Sequence, residues 1–215
     1  MKLFVIDTTD LKITDYKSKY YFKKDKQLEM GSKIIKEYLL EYLGWNKEDF
    51  TLMKNKNGKP YFKYHKSAFI IDFNVSHDES NVVLLYNFNK EVGIDIMSIK
   101  DRKTSFFDNI INKFTPDEQL LLKTSKDFLT DFYRLWTFKE AYFKYLGTGM
   151  DNLDKINYTI LEKNNNKIKI KNSDFKIVKF LKTNNINFIE LIFKNYFLNL
   201  CFDYFNENLE IILIN

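Results

Sequence analysis

The stretch that decides the fold is Trp136-Thr137-Phe138-Lys139-Glu140-Ala141-Tyr142-Phe143-Lys144. It lies within residues 127–145, whose apolar spacing predicts a helix that ends at a following glycine. Trp136, Glu140 and Lys144 are four residues apart, so they share one face of that helix. A carboxylate and an ammonium one turn apart are commonly a solvated pair. The tryptophan beside them instead indicates a partly buried face, where both charges need partners or a ligand.

The composition is that of a folded protein with a sizeable core. The chain has 215 residues, of which 45% are hydrophobic and 17% aromatic, enough for one large domain or two subdomains. Its formal net charge is +5, carried almost entirely by lysine. This excess reflects either base composition or a surface that attracts acidic partners and phosphates. The single cysteine, Cys201, excludes an intrachain disulfide, and no apolar stretch is long enough to span a bilayer. We therefore expect a soluble, cytoplasmic protein with no membrane partner.

The order of the elements predicts an α+β fold with two similar lobes. Residues 2–7 read as a strand and residues 26–43 as a helix, followed by three strands expected to be adjacent in one sheet, at 69–75, 82–88 and 92–97. Two short helices follow at 105–114 and 116–123, with Thr115 as the N-cap of the second. After the long helix, short runs predict a meander of strands at 156–161, 167–170, 175–180, 188–193, 196–202 and 209–214. The predicted lobes are residues 1–100 and 101–215.

A single carboxylate interrupts the third of the early strands. Asp95 lies in the middle of the apolar run 92–97. It is either a residue of a strand edge or a metal ligand. Mg²⁺ is usually bound by one or two carboxylates together with phosphate oxygens and water. Asp95 and Glu140 would supply the protein part of such a site.

Two further polar segments lie upstream. Ser76 and His77 directly follow a strand, where the histidine either is structural or binds a phosphate. A serine nucleophile activated by this histidine is disfavoured, because adjacent residues of a strand point to opposite faces. Lys54 and Lys59 flank a turn-rich basic loop, which is either solvated or a charge cluster for phosphates.

Together and in this order, these segments resemble the larger, two-lobed 4′-phosphopantetheinyl transferases. The matching motifs are Gly-Lys-Pro at 58–60, Phe-Asn-Val-Ser-His at 73–77, Gly-Ile-Asp-Ile at 93–96 and Trp-x-x-Lys-Glu-Ala-x-x-Lys at 136–144. The resemblance covers roughly residues 17–153, and no motif supports it further along the chain. The form Asp95-Ile96-Met97 resembles the eukaryotic, broad-range members, which serve aminoadipate-semialdehyde dehydrogenase.

The resemblance implies a fold and a reaction. The two lobes would form a pseudo-dimer, with the active site in the cleft between them. The enzyme would be a monomeric holo-[acyl-carrier-protein] synthase, which moves the phosphopantetheine arm of coenzyme A onto a serine of an apo carrier protein. The reaction depends on Mg²⁺ and releases 3′,5′-ADP. The carrier could belong to a fatty-acid or polyketide synthase, a nonribosomal peptide synthetase or an aminoadipate reductase.

The resemblance also implies roles for individual residues. Asp95 and Glu140 match the metal carboxylates, and Lys144 matches the lysine that contacts the phosphates and assists the leaving group. The remaining matches lie on the coenzyme A side, with the 3′-phosphoadenosine beside Ser76 and His77 and the basic head group region beside Lys54 and Lys59. The general base would be Glu140 or a water held by the metal.

This chain departs from many bacterial members at one metal position. Met97 stands where those members carry a third carboxylate, and we expect Asp78, directly after His77, to restore an oxygen ligand. Three more lysines would add to the basic cluster, although the resemblance assigns them no definite roles: Lys17, Lys19 and Lys33.

Carrier proteins are typically acidic, which suits a basic enzyme. The apolar residues of segment 105–114 either dock such a carrier or belong to the core. They are Phe106, Phe107, Ile110 and Ile111.

Two other functions fit parts of the sequence. A metal-dependent nuclease would use Asp95, Glu140 and Lys144, but such sites usually place the acid and the lysine two residues apart on a strand. A basic nucleic-acid-binding module would use lysines and aromatic residues. It lacks a recognisable binding motif here and leaves Asp95 and Glu140 unexplained, so we expect no nucleic-acid partner.

Overall fold

A computed structural model of the chain describes residues 1–11, 23–149, 153–166, 168, 170, 172–203 and 208–214. In these ranges the chain forms four α-helices and eleven β-strands. In chain order they are β1 (Lys2–Asp7), α1 (Lys23–Tyr42), β2 (Phe50–Lys54), β3 (Pro60–Tyr64), β4 (Ile70–Asp78), β5 (Asn81–Phe88), β6 (Val92–Ser98), α2 (Thr104–Ile111), α3 (Pro116–Thr124), α4 (Phe128–Leu146), β7 (Glu162–Lys163), β8 (Phe175–Thr183), β9 (Ile186–Phe193), β10 (Tyr196–Phe202) and β11 (Glu210–Ile214).

The strands form two sheets with matching topologies. The first has the order β11-β1-β5-β4-β3-β2 and the second the order β6-β10-β9-β8-β7. In each half the first strand pairs antiparallel with the last, β1 with β5 and β6 with β10. In chain order, each half also has a long helix between its first strand and its remaining strands. This helix is α1 in the first half and α4 in the second. The predicted α+β fold with two similar lobes is therefore confirmed, as a structural duplication without a sequence repeat.

The two sheets pack face to face, and one long helix covers the outer face of each. Strand alternation divides the side chains between these layers. On β1, Leu3 and Val5 point into the core between the sheets, whereas Phe4 and Ile6 pack with residues of α1. On β10, the inward residues belong to the same central core, and Phe197 and Cys201 pack with residues of α4.

The assignment of β6 to the same sheet as β4 and β5 is wrong. β6 pairs with β10, about a hundred residues further along the chain, and forms an edge of the second sheet. Only three residues separate β6 from β5, so in sequence the two strands look like a hairpin. The repeat consequently begins at β6, ahead of the predicted division at residue 100. β11 returns to the first sheet and pairs parallel with β1, so the second predicted lobe also contributes a strand to the first sheet.

Two other predictions for the second half are corrected. Residues 156–161 are not a strand, because Tyr158–Ile160 form a 3₁₀ turn whose Tyr158 N–H donates to the buried carboxylate of Glu118. The predicted strand at 167–170 falls partly outside the described residues. The apolar residues of α2 face the core, which favours the core alternative that the sequence left open. Phe107 is buried, and the others pack against the same cluster: Phe106, Ile110 and Ile111.

The ends of the helices follow their capping residues. Thr115 caps α3, as the sequence predicts, and it also forms a capping box with Glu118. Asp127 caps α4 by accepting from the Thr130 N–H, and Gly147 ends that helix in the left-handed conformation, at φ 68°. No helix of the described ranges is both long and apolar enough to cross a membrane.

Candidate active site

Helix α4 approaches strand β6 more closely than a side chain would allow. A Cβ atom on Gly93 would lie 2.1 Å from the carbonyl oxygen of Ala141 and 2.4 Å from the nitrogen of Tyr145. Only glycine therefore permits this packing. The close approach brings the Glu140–Lys144 turn of α4 next to Asp95, two residues along β6 from Gly93.

Three predicted site residues meet at this point, from three different elements. The Lys144 Nζ on α4 lies 2.6 Å from Oδ1 of Asp95 on β6 and 3.0 Å from Oγ of Ser76 on β4. The Ser76 hydroxyl donates to the same Asp95 oxygen at 2.8 Å. The second oxygen of Asp95, Oδ2, is buried and has no hydrogen-bond partner among the described residues. A buried acceptor without a partner is costly, so this oxygen is suited to a ligand.

Glu140 lies close enough to this cluster to interact electrostatically with Asp95 and Lys144. Burial, and then the negative charge of Asp95, raise the pKa of Glu140 to about 7, against the opposing effect of Lys144. Burial also raises the pKa of Asp95, and the Lys144 ammonium opposes that rise. The pKa values of both carboxylates are therefore raised even though Lys144 is next to them. A second cation at this position would stabilise their ionised forms.

His77 lies beside the cluster, but on the other face of β4 from Ser76. Its side chain reaches solvent. Partial desolvation of the imidazole, followed by the charge of Lys144, lowers the pKa of His77 below its ordinary value. The neutral ring that results can still donate one hydrogen bond to a bound anion.

Asp78 has partners of its own. Its Oδ2 accepts from the Ser98 N–H and from the Ser98 hydroxyl, both at 2.6 Å. No group of three or more histidine, cysteine, aspartate or glutamate side chains suited to a metal ion occurs in the described ranges. That Asp78 is a metal ligand therefore stays a prediction, and its observed contacts favour a structural role.

The contacts of Asp78 and Ser76 belong to a series that joins the two lobes. β6 is an edge strand, and its outward N–H groups need acceptors. Alternate side chains of β4 supply them, at donor–acceptor distances of 2.6–3.4 Å. The pairs are Val92 with Asp72, Ile94 with Asn74, Ile96 with Ser76, and Ser98 with Asp78. We call these four side chains of β4 the acceptor series. Their hydrogen bonds fix the position of β6, and hence of Asp95, relative to the first lobe.

The predicted basic residues are only partly in the expected setting. Lys54 is exposed at the end of β2, and Lys33 is exposed on α1. Lys59 instead is 6% exposed and pairs with Asp72 at 2.5 Å, so its ammonium is not an open charge on a basic loop. That Lys54 and Lys59 bind coenzyme A stays a prediction. Lys17 and Lys19 lie outside the described residues.

Sequence reasoning assigned no role to Lys139, which adjoins Glu140 on the buried side of α4. Lys139 is fully buried and pairs with Glu118 at 2.8 Å. Its ammonium also donates to the carbonyl oxygens of Leu153 and Ile156, at 2.5 and 2.7 Å. It thereby fixes the segment that follows α4. The available signal was its helix face, because the residues three and four positions away from Lys139 are all apolar.

Comparison with known proteins places this architecture in a family. The 4′-phosphopantetheinyl transferase superfamily matches residues 91–201, and the N-terminal domain of 4′-phosphopantetheinyl transferases matches residues 6–89. The chain therefore belongs to the 4′-phosphopantetheinyl transferase superfamily. The two matched ranges meet between β5 and β6, where the structural repeat also divides.

Similar proteins occur in fungi, bacteria and animals. The L-aminoadipate-semialdehyde dehydrogenase-phosphopantetheinyl transferase of Schizosaccharomyces pombe is 31% identical over 145 residues, which cover 61% of this chain and 56% of that protein. The human protein of the same name is 32% identical over 143 residues, 61% of this chain and 46% of its own length. A 4′-phosphopantetheinyl transferase of Aneurinibacillus migulanus is 32% identical over 123 residues, 56% of this chain and 48% of its own length. The chain thus spans about half the length of these curated relatives.

Proposed function

We propose that this protein transfers the 4′-phosphopantetheine arm of coenzyme A to a serine of an apo carrier protein, with Mg²⁺ as the metal and 3′,5′-ADP as the second product. The observation that carries this proposal is the meeting of Ser76, Asp95 and Lys144, with Glu140 beside them, at the junction of the lobes. Membership of the family supports it, and so do the names of the relatives.

The proposed reaction balances without a protein nucleophile. The serine hydroxyl of the carrier attacks the phosphorus nearer the pantetheine. The bond between this phosphorus and the bridging oxygen of the pyrophosphate breaks, and 3′,5′-ADP leaves with that oxygen and the bonding electrons. The hydroxyl proton passes to a base. Such transfers depend mainly on positioning and on neutralising charge, so a site with a lysine and two carboxylates is adequate.

The two carboxylates fit Mg²⁺. They are hard oxygen donors, the buried Oδ2 of Asp95 has no partner among the described residues, and substrate phosphates and waters normally complete the shell of this ion. Asp95 and Glu140 would hold the ion, whose chemical contribution is to offset the negative charge of the pyrophosphate. Lys144, whose side chain is 28% exposed, can turn its ammonium from Asp95 to the phosphates.

Glu140 is the best candidate for the base. Glu140 lies beside the cluster, where burial and the charge of Asp95 raise its pKa to about 7 in the absence of a cation. A cation held beside it would favour its ionised form. His77, whose exposed neutral imidazole can donate one hydrogen bond, then remains for the 3′-phosphoadenosine side of coenzyme A. The single hydroxyl proton of Ser76 is given to Asp95, so a donor role of Ser76 toward coenzyme A has no support in the observed contacts.

We also infer a single-chain enzyme with an acidic partner. Both halves of the site come from one chain, so the duplication supplies what a dimer would otherwise provide. The net charge of +5 suits association with an acidic carrier. A monomer in the cytoplasm is the simplest setting for this reaction.

The test is a product balance. The protein is incubated with coenzyme A, Mg²⁺ and an apo carrier, and both 3′,5′-ADP and holo carrier are quantified. The proposal predicts equal amounts of the two products, with formation dependent on the carrier. Release of 3′,5′-ADP in the absence of carrier would indicate hydrolysis of coenzyme A and would contradict the proposal.

A further inference from the structure

The turn between β2 and β3 lies against the C-terminal end of α4. Asn57 Nδ2 donates to the carbonyl oxygen of Leu146 at 3.2 Å, and the Lys59 ammonium donates to that of Tyr145 at 3.4 Å. A Cβ on Gly147 would lie 3.0 Å from the Cβ of Lys59. The first lobe therefore touches the helix directly at the turn that follows Lys144.

These contacts suit the end of a helix. The last carbonyl groups of a helix have no partner within it, and they form the negative end of its dipole. A buried ammonium and an amide supply the missing donors here. The Lys59 ammonium is balanced by Asp72, so the charge is not left unpaired in the interior.

Asp72 extends the contact to the other element of the site. Its Oδ2 accepts from Lys59 Nζ at 2.5 Å and from the N–H of Val92 at 2.8 Å, where β6 begins. The Lys59–Asp72 pair thus contacts the end of α4 and the start of β6 at once. Those two elements carry Lys144 and Asp95.

We infer that Lys59 is a positioning residue, which anchors the last turn of α4 to the first lobe and so holds Lys144 in place against Asp95. Lys59 is only 6% exposed and its ammonium is paired with Asp72, which favours this anchoring role over the coenzyme A contact that the sequence predicts for it. The positioning role rests on the proposed function. The anchoring contact itself does not.

The test uses a double variant, because Lys59→Met alone would leave Asp72 buried without its partner. Lys59→Met together with Asp72→Asn removes both charges and keeps an acceptor for the Val92 N–H. The matched control is Lys63→Met, an exposed lysine of the same hairpin. Three quantities are compared with the unaltered protein: amide hydrogen exchange, the affinity for 3′,5′-ADP, and the kcat and KM of transfer.

We expect the amides of Gly147 and Thr148, which close the last turn of α4, to exchange at least about tenfold faster in the double variant, while amides in the middle of the helix keep their protection. The kcat of transfer should fall about tenfold to a hundredfold through misplacement of Lys144. The affinity for 3′,5′-ADP should stay within about twofold, since no ligand of the nucleotide is removed. Lys63→Met should change none of these quantities.

Unchanged exchange at Gly147 and Thr148 would overturn the anchor. A loss of 3′,5′-ADP affinity with kcat intact would overturn the positioning role and return Lys59 to coenzyme A binding. If the unaltered protein transfers nothing and binds no 3′,5′-ADP, the proposed function fails, while hydrogen exchange still decides whether Lys59 anchors the helix.

Discussion

The Cα of Gly93 lies so close to the backbone of Ala141 that an added Cβ would be 2.1 Å from the Ala141 carbonyl oxygen. This contact sets the distance between β6 and α4. Because Asp95 and Lys144 lie on those two elements, the same contact sets the 2.6 Å distance between their charged atoms. A residue without a side chain thereby determines the geometry of the polar cluster.

Replacing Gly93 is expected to move Asp95 and Lys144 apart. Gly93→Ala should lower the free energy of unfolding by about 1–3 kcal/mol, because α4 must move away from β6. Transfer should fall about a hundredfold, since displacement of about 1 Å is enough for such a loss. Chemical denaturation and the carrier-transfer assay measure the two effects.

Gly44→Ala is the matched control for this variant. Gly44 has a φ of +67° and nothing within 4 Å of an added Cβ, so alanine there should cost about 1–2 kcal/mol through backbone strain alone. Transfer at a temperature where the variant is folded should be unaffected. Equal losses of turnover in both glycine variants would contradict the link between the Gly93–Ala141 contact and the site.

Variants can distinguish the proposed metal ligands, Asp95 and Glu140, from their neighbour Asp78. Asp95→Asn and Glu140→Gln should each weaken Mg²⁺ binding by at least about tenfold, because each removes an anionic ligand. Asp78→Asn should leave Mg²⁺ affinity nearly unchanged and lower stability, because Asp78 accepts from Ser98. Titration calorimetry with Mg²⁺ and 3′,5′-ADP gives the affinities. A tenfold loss in Asp78→Asn would restore Asp78 as the third ligand that the sequence predicts.

The buried Lys139–Glu118 pair should dominate the stability of the second lobe. Lys139→Met leaves Glu118 buried and unpaired, and breaking such a pair costs about 3–5 kcal/mol. Adding Glu118→Gln removes the stranded charge, and the uncharged side chain can still accept a hydrogen bond. The double variant should therefore be more stable than Lys139→Met. If urea denaturation ranks the two variants in the opposite order, Lys139 does not act through this pair.

The cap of α4 adds a pH-dependent contribution to stability. Hydrogen bonds from Thr130 lower the pKa of Asp127 below its ordinary value of 3.8. A lowered pKa means that this contribution is complete above pH 3.8 and is lost as the pH falls through the folded-state pKa. Asp127→Ala should therefore cost about 1 kcal/mol at pH 7, and the difference from the unaltered protein should shrink in strong acid. A pH-independent difference would show that the ionisation of Asp127 adds nothing to the cap.

The residues that meet in the cluster stand out in the sequence because their spacing carries information. The interval of four between Glu140 and Lys144 defines a helix face, and Asp95 is conspicuous as one charge in an apolar strand. Ser76 was expected to follow a strand at 69–75, whereas the structure extends that strand to Asp78 and places Ser76 within it. The lobes were also predictable, since each alternates one long amphipathic helix with short strands.

Long-range pairing could not be predicted in the same way. The pairing of β6 with β10 and of β11 with β1 depends on contacts about a hundred or more residues apart, which local patterns do not encode. The burial of Lys59 was missed because a lysine beside Gly58 and Pro60 looks like a solvated turn. A local signal of the acceptor series is nevertheless present in the sequence. Polar residues alternate along β4 with a period of two, at Asp72, Asn74, Ser76 and Asp78.

The most direct test of the proposed transfer is the intact mass of an apo carrier protein after incubation with this protein, coenzyme A and Mg²⁺, with a Glu140→Gln variant in parallel. We predict that the carrier gains the mass of one phosphopantetheine, and that the gain is lost with a chelator and reduced about a hundredfold or more by the variant. An unchanged carrier mass across several unrelated carriers, from a folded protein that also fails to bind coenzyme A, would contradict the proposed function.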